Sequence, residues 1–276
     1  MHGSLFIILK ESLKYIPIVG PGMMFYGFIF MSRKMAVDQP RLAHRLGKLK
    51  TEHTAPDGSK YLDPMWLLLF PEGTNASQNG RNKSAKWADK IGVKDPEHVL
   101  LPRSTGTYYC LNELRGTVDY VYDCTVAYEG VPYVPPLLHP PTRPANQTPS
   151  SRGKFGEKIF TLAGTYVRGQ SPKSVNFYWR RFRVADIPLD TQQAFDDWLR
   201  ERWYEKDALL EQYITTGRFP ASPADALTKG QEPFLETEVR TRYPWEFLQI
   251  FSVVGAFALL VNVLLKTWAR FVSVFS

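Results

Sequence analysis

The sequence predicts an α/β fold in which a mixed sheet is flanked by helices and is followed by a C-terminal transmembrane helix. Apolar runs of strand length alternate along the chain with segments of helical apolar spacing, which is the pattern of an α/β protein. Residues 66–70 are continuously apolar, as in a strand covered on both faces, and Pro71 and Gly73 end that run sharply. Residues 247–265 carry no charge and are long enough for a membrane span.

Each element has its own signal. The predicted strands lie at residues 4–9, 28–31, 66–70, 99–102, 118–128 and 175–184. The predicted helices lie at residues 38–50, 82–92 and 107–114 and after a capping box formed by Asp190 and Gln193. The helix at 38–50 is either a surface helix or a basic helix that faces a membrane. Residues 132–152 contain seven prolines and predict a linker.

Three segments are expected along the chain. Residues 1–188 form the main α/β domain, residues 189–235 a helical extension, and residues 245–268 the transmembrane helix. Trp245 and Trp268 flank the uncharged stretch as interfacial anchors do, and nineteen residues of helix would extend about 28 Å. The alternative is a buried C-terminal helix, which Gln249 and Asn262 favour.

The charge balance indicates anionic partners. The chain of 276 residues has a net charge of +7 and an isoelectric point near 9.3, which suits phosphate-bearing ligands or lipid head groups. The basic residues do not interleave with aromatic ones as in a nucleic-acid groove, so no nucleic-acid partner is expected. Cys110 and Cys124 form neither a disulfide framework nor a metal-binding spacing, and no metal site is expected.

The end of the run at residues 66–70 is the most informative position for chemistry. Glu72 and Gly73 place a carboxylate and a permissive backbone just after a buried strand. In open α/β sheets ligands bind at the carboxyl ends of the strands. The alternative is an ordinary turn between a strand and a loop.

The residues around this turn resemble the glycerophospholipid acyltransferase family, in particular its 1-acylglycerol-3-phosphate and lysocardiolipin types. Residues 70–74, Phe-Pro-Glu-Gly-Thr, look like the third signature block of that family, and residues 27–34, Gly-Phe-Ile-Phe-Met-Ser-Arg-Lys, look like the second. Residues 10–20, 101–106 and 121–128 resemble the segments that accompany these blocks, in the same order. Residues 177–182 and 198–207 are similar to the lysophosphatidate and lysocardiolipin branch.

The first block of the family, a histidine and an aspartate separated by four residues, is absent from this sequence. None of the five histidines has an aspartate five places later. The nearest case is His53 with Asp57, which is one residue too short and lies in a polar segment. The resemblance therefore implies no catalytic residue in this chain, which begins just downstream of that block, and we expect little turnover from these residues alone.

The resemblance also assigns binding roles. Arg33 would bind the phosphate of the acceptor, since a guanidinium is a permanently charged fork. The remaining substrate-binding residues would be Gly27, which lets the backbone approach the ligand, and Glu72, Gly73 and Thr74, which shape the acceptor pocket. The alternatives are a surface salt bridge for Arg33 and a helix or loop cap for Glu72. Many family members have an arginine where this chain has Asn75, which favours acceptors with a larger head group.

The function implied by the resemblance is the transfer of a fatty acyl group from acyl-CoA to the hydroxyl of a lysophospholipid or lysophosphatidate. Acyl-CoA would be the donor substrate, and no cofactor is expected. Membrane lipids are expected partners and the endoplasmic reticulum membrane the expected location. The alternative is a noncatalytic membrane protein that binds lipids.

Overall fold

The computed structural model describes residues 4–17, 19–129, 131, 155–221, 234–238, 240, 243, 245 and 249–275. The chain divides into two units. The first comprises Met1–Tyr15 and Met23–Pro220, and the second comprises Ile16–Gly22 and Ala221–Ser276. The linker predicted at 132–152 lies outside the described residues.

The described strands form three small sheets. In chain order the strands are β1 (Leu5–Lys10), β2 (Ile29–Met31), β3 (Glu52–Thr54), β4 (Lys60–Leu62), β5 (Trp66–Leu68), β6 (Tyr120–Tyr128) and β7 (Val175–Arg183). A parallel sheet has the order β2-β1-β5, while β3 pairs with β4 and β6 with β7 in antiparallel fashion. The single mixed sheet predicted from the sequence is therefore wrong for the described residues.

Helices flank these sheets. They are α1 (Val19–Phe25), α2 (Met35–Leu49), α3 (Gln78–Ile91), α4 (Ser104–Glu113), α5 (Gly156–Ile159), α6 (Leu162–Val167), α7 (Gln192–Thr216) and α8 (Gln249–Phe275). Short 3-10 turns follow β1 and β7.

The parallel sheet packs its inner face on α2. Leu42 and Leu46, fully buried one turn apart on α2, lie in one cluster with Ile29 of β2. Leu67 and Leu69 join that cluster from β5 and the residue after it. The leucine face predicted for this helix thus covers the sheet.

The antiparallel pair β6–β7 packs on α7. Phe195 and Trp203 of α7 are buried in a cluster to which Val121 and Phe182 contribute from the two strands. The ring of Phe182 meets that of Trp198 edge-on, with 5.4 Å between centroids. Along β7, exposed residues alternate with these inward-facing ones.

The strand predicted at 99–102 is wrong, because side chains rather than a neighbouring strand take its backbone donors. The carboxylate of Asp207 accepts hydrogen bonds from the N–H groups of His98 and Val99, and the hydroxyl of Ser84 accepts one from Leu101. The segment is buried but belongs to no strand.

The start of α7 also differs from the prediction. Thr191, rather than Asp190, is the N-cap, and its hydroxyl accepts a hydrogen bond from the N–H of Ala194 at 3.2 Å.

Among the described residues, no helix is both long enough and apolar enough to cross a membrane. The transmembrane helix predicted at 245–268 is therefore wrong.

Candidate active site

Two of the predicted site segments lie at the same edge of the parallel sheet. β2 and β5 both run parallel to β1, so their carboxyl ends point the same way. Arg33 follows β2 and Glu72 follows β5, which places both residues at this edge. The sequence prediction of a site at the carboxyl ends of the strands is consistent with this topology.

Arg33 has an unusual backbone conformation. Its φ is 69°, and it is the one non-glycine residue with a positive φ in the described part of the chain. That conformation costs roughly 1–2 kcal/mol for a residue with a side chain. Buried Asp38 stabilises it, because its carboxylate accepts hydrogen bonds from the N–H groups of Ser32 at 2.9 Å and Lys34 at 3.1 Å. The sequence predicts a helix that begins at Asp38 but does not reveal this role of its carboxylate.

The side chain of Arg33 is exposed at the edge of the sheet. None of the ion pairs found among the described residues involves its guanidinium group. The surface salt bridge considered as the alternative for Arg33 is therefore not formed in this part of the chain. A strained backbone that presents an unpaired cation is an arrangement suited to an anionic ligand.

Glu72 lies partly buried against α7. Its Oε1 accepts a hydrogen bond from Nε1 of Trp203 at 3.3 Å, so the turn after β5 is tied to that helix. Burial raises the pKa of the Glu72 carboxyl above its ordinary value, and donation by Trp203 and by the Leu100 N–H offsets part of the rise. The nearby charges of Lys206 and Arg81 act in the same lowering direction.

The rest of the loop keeps its backbone open. Gly73 has a φ of 68°, and the space where a side chain would begin is empty within 4 Å. The hydroxyl of Thr74 lies 3.3 Å from Oδ1 of Asn75. The N–H of Arg103 donates to the carbonyl of Pro71 at 2.8 Å, which holds the segment at 101–106 beside the loop.

A buried network of charged residues lies against Trp203, the partner of Glu72. The Lys206 ammonium pairs with the Asp123 carboxylate, donates to the carbonyl of Cys124 at 2.8 Å, and lies 4.7 Å from the centre of the Trp203 ring. Arg180 donates to the same carboxylate through Nε at 2.9 Å and Nη2 at 2.6 Å. The network therefore holds Trp203 of α7, which donates its hydrogen bond to Glu72.

Gly27 lies elsewhere. It precedes β2 with a φ of 75°, which places it at the amino ends of the strands, opposite Arg33 and Glu72. It lines a cavity of about 400 Å³ together with Phe6, Ile29, Arg45 and Lys48 among others. The structure thus brings four of the five predicted binding residues to one edge and leaves Gly27 at the other.

Two of the described histidines, His53 and His98, form pairs that the sequence did not reveal. His53 contacts Asp63 with 3.2 Å between Nε2 and Oδ2, whereas Asp57 accepts from the N–H of Ser59 in its own turn. The ring of His98 lies 2.6 Å from the Glu211 carboxylate. Together with Glu97, these two residues bring three donor atoms within 4.8 Å of one another, an arrangement that a divalent metal ion could use. Position 211 is too far along the chain for any spacing rule to connect it with residues 97 and 98.

Two protein-family models together match most of this chain. The sequence model described as Acyltransferase matches residues 1–135, and the one described as Acyltransferase C-terminus matches residues 165–250. The first match contains β2, β5 and the loop with Glu72, and the second contains β7 and α7. No solved structure matches the chain.

The curated relatives to which the chain is similar are also named as acyltransferases. The chain is 39% identical to a 2-acyl-1-lysophosphatidylinositol acyltransferase of Saccharomyces cerevisiae, over 81% of this chain and 57% of the relative. It is 32% identical to lysocardiolipin acyltransferase 1 of Danio rerio, over 76% of this chain and 45% of the relative. For 1-acyl-sn-glycerol-3-phosphate acyltransferase 3 of Arabidopsis thaliana the identity is 28%, over 84% and 52%. The chain thus spans about half the length of these relatives, and it belongs to the glycerophospholipid acyltransferase family.

Proposed function

We propose that the chain takes part in acyl transfer from acyl-CoA to the free hydroxyl of a membrane lysophospholipid. The hydroxyl oxygen attacks the thioester carbonyl, the C–S bond breaks, the CoA thiol leaves, and the hydroxyl proton goes to a base. The observation that carries the proposal is the exposed Arg33, whose flanking backbone is held by Asp38 at the same sheet edge as Glu72. A phosphate is the ligand that such a fork binds well.

The named relatives support a lysophospholipid as the acceptor, and lysophosphatidylinositol is the first acceptor to try. Asn75 supports an acceptor with a large head group, because its amide pairs with Glu157 and adds no cation to the loop. Such an acceptor resides in a membrane, and the endoplasmic reticulum is the proposed location.

The proposal also covers the rate. The 276 residues contain no histidine followed by aspartate five places later. A general base contributes typically 10²–10⁴ in rate. We therefore propose that these residues supply the acceptor-binding half of the reaction and turn over slowly by themselves.

The test measures acceptor binding and transfer separately. Binding of a nitroxide-labelled lysophosphatidylinositol to the full chain is followed by quenching of tryptophan fluorescence, and transfer by radiolabelled acyl-CoA. Arg33→Ala is expected to weaken acceptor binding about 10- to 150-fold, since a hydrogen bond to a charged group contributes about 1.5–3 kcal/mol. Arg33→Lys should restore part of the affinity, because it keeps the charge but loses the fork.

Arg115→Ala is the matched control, since Arg115 is an exposed arginine whose nearest carboxylate is 3.9 Å away. It should bind the acceptor as the parent does. Equal acceptor affinity for Arg33→Ala and Arg115→Ala would refute the role of Arg33. Fast transfer by the unaltered chain, at about 1 per second or more, would refute the assignment to acceptor binding alone.

A further inference from the structure

The outer face of strand β7 is aromatic where a solvent-facing strand is normally polar. Phe177 and Trp179 are 55% and 57% exposed, and they alternate with residues that pack inward on α7. An antiparallel pair with one face on a core usually has polar residues on the other face. The outer face of β7 therefore presents exposed aromatic side chains, whereas helix α7 covers the opposite face.

Strand β6 continues this surface. Tyr122 lies opposite Arg181, and Cys124 lies opposite Trp179, so the outward residues of the two strands form one face. Tyr120 and Tyr122 are both exposed there. We call this surface, with the outward residues of β5 described next, the aromatic face.

The aromatic face extends to the parallel sheet. The Trp66 ring, 48% exposed, lies 5.3 Å from that of Tyr122, and Leu68 points the same way two residues further along β5. Parallel sheets are normally covered on both faces. Exposed apolar patches of this extent mark sites of interaction.

The charges on this surface are all positive. Of the outward positions of β6 and β7, five on each strand, Arg181 and Arg183 are the charged ones, and both side chains are exposed. The Arg181 guanidinium lies 4.7 Å from the centre of the Tyr120 ring. The aromatic face thus combines tryptophan and tyrosine with arginine. This composition is typical of a protein surface that lies at the head groups of a membrane.

A second copy of the chain fits this surface less well. In a two-fold dimer the same patch faces itself, which would bring the arginines of one copy towards those of the other without a carboxylate from this face. Anionic phospholipid supplies both the apolar layer and the opposite charge.

We infer that the aromatic face docks on the surface of a bilayer that contains anionic phospholipid. Phe70, 58% exposed, continues the outward row of β5 and stands two residues before Glu72. Docking would bring the candidate site to the layer in which lysophospholipids reside. The choice of phosphatidylinositol as the anionic lipid rests on the proposed function, but the experiment below measures docking without acyl transfer.

The experiment uses a local reporter because other exposed apolar residues could bind vesicles elsewhere on the chain. An environment-sensitive fluorophore is attached to the full chain carrying Phe177→Cys with Cys124→Ser. Cys110 is 1% exposed and burial raises the pKa of its thiol to about 12, so it stays unlabelled. The matched control carries Tyr61→Cys with Cys124→Ser, since Tyr61 is an aromatic residue 49% exposed on β4.

Vesicles of phosphatidylcholine, with or without phosphatidylinositol, carry a nitroxide lipid. With phosphatidylinositol present, the label at position 177 should shift to the blue and be quenched, while the label at position 61 changes little. Arg181→Gln with Arg183→Gln should weaken this response about thirtyfold, since each arginine near an anionic surface contributes about fivefold. Added salt should reduce that difference.

Three results would overturn the inference. The label at 177 stays unquenched while the protein binds the vesicles, or both labels respond equally, or the 177 label shifts with protein concentration in the absence of vesicles, which would indicate a second copy. The proposed function fails separately: a chain that docks but binds lysophosphatidylinositol equally well as Arg33→Ala and as Arg115→Ala refutes the proposed function alone.

Discussion

Asp38 illustrates how one buried side chain can decide the position of an exposed one. Its carboxylate accepts hydrogen bonds from the backbone on both sides of Arg33, and this pins a conformation that arginine otherwise avoids. The position of this exposed cation therefore depends on a residue that need not touch a ligand. In the proposed function, Asp38 is a positioning residue.

Replacing Asp38 by alanine should release the turn. Loss of a buried acceptor for two N–H groups is expected to lower the free energy of unfolding by about 1–3 kcal/mol and to weaken acceptor binding as the Arg33 backbone relaxes. Asp38→Asn keeps one acceptor oxygen and should fall between the parent and Asp38→Ala. Acceptor affinity and thermal melts are measured together.

Asp57→Ala is the control for this variant, since Asp57 also caps a turn but lies exposed between β3 and β4. It should leave acceptor affinity unchanged. An Asp38→Ala protein that melts below the parent and still binds the acceptor equally well would show that the turn does not position Arg33.

Glu72 predicts a dependence of stability on pH. Its pKa is raised by burial, so the folded protein binds this proton more tightly than the unfolded chain does. Stability should therefore fall as the pH rises from the ordinary value of 4.5 through the folded pKa, and it should stay reduced above that value. Glu72→Gln keeps an acceptor for Trp203 but cannot ionise. The melting temperature of this variant, compared with the parent across that range, should fall less steeply with rising pH, and parallel curves would contradict the prediction.

Helix α7 owes its position to charged residues as much as to its apolar side. Asp123 of β6 accepts from Arg180 of β7 and pairs with Lys206 of α7, so three elements meet at one carboxylate. The side chains of Asp123 and Lys206 are 10% and 8% exposed. Removing the carboxylate would leave two buried cations without their shared partner.

Asp123→Ala is accordingly expected to destabilise the protein by about 3–5 kcal/mol. Glu52→Ala removes an exposed partner of Lys60 and should cost about 1 kcal/mol or less. Denaturant unfolding of the two variants measures both losses in the free energy of unfolding. Similar small losses for both would mean that the packing of Phe195 and Trp203 alone holds α7.

The elements differ in how well the sequence predicted them. The leucine spacing of α2 indicated that helix because burial itself sets such a pattern. The continuous apolar run at 66–70 indicated a strand, but the expectation that both of its faces are covered is wrong, since Trp66, Leu68 and Phe70 are exposed. The apolar segment at 99–102 misled, since its donors bond to Ser84 and Asp207. The link from Trp203 to Glu72 joins residues 131 positions apart, and no local pattern reports a contact of that kind.

At the scale of the molecule, the described core lies within the first unit. The three clusters of buried apolar residues involve no residue beyond Phe219. A unit with its own core is expected to fold by itself. The candidate site and the aromatic face both belong to this unit.

A chain that ends after Pro220 should therefore keep the melting transition of the first unit. For a unit of this size, a loss of 1 kcal/mol shifts the melting temperature by only about 2–4 °C, so we expect a change within that range. The measurement is a circular dichroism melt of the shortened and full chains at equal concentration. The control ends at Asp190, which removes α7 and with it Phe195 and Trp203. That control should lose cooperative melting, because the inner face of β6–β7 would lose its cover. If the chain ending after Pro220 also melted without cooperativity, folding of the first unit would depend on residues after 220.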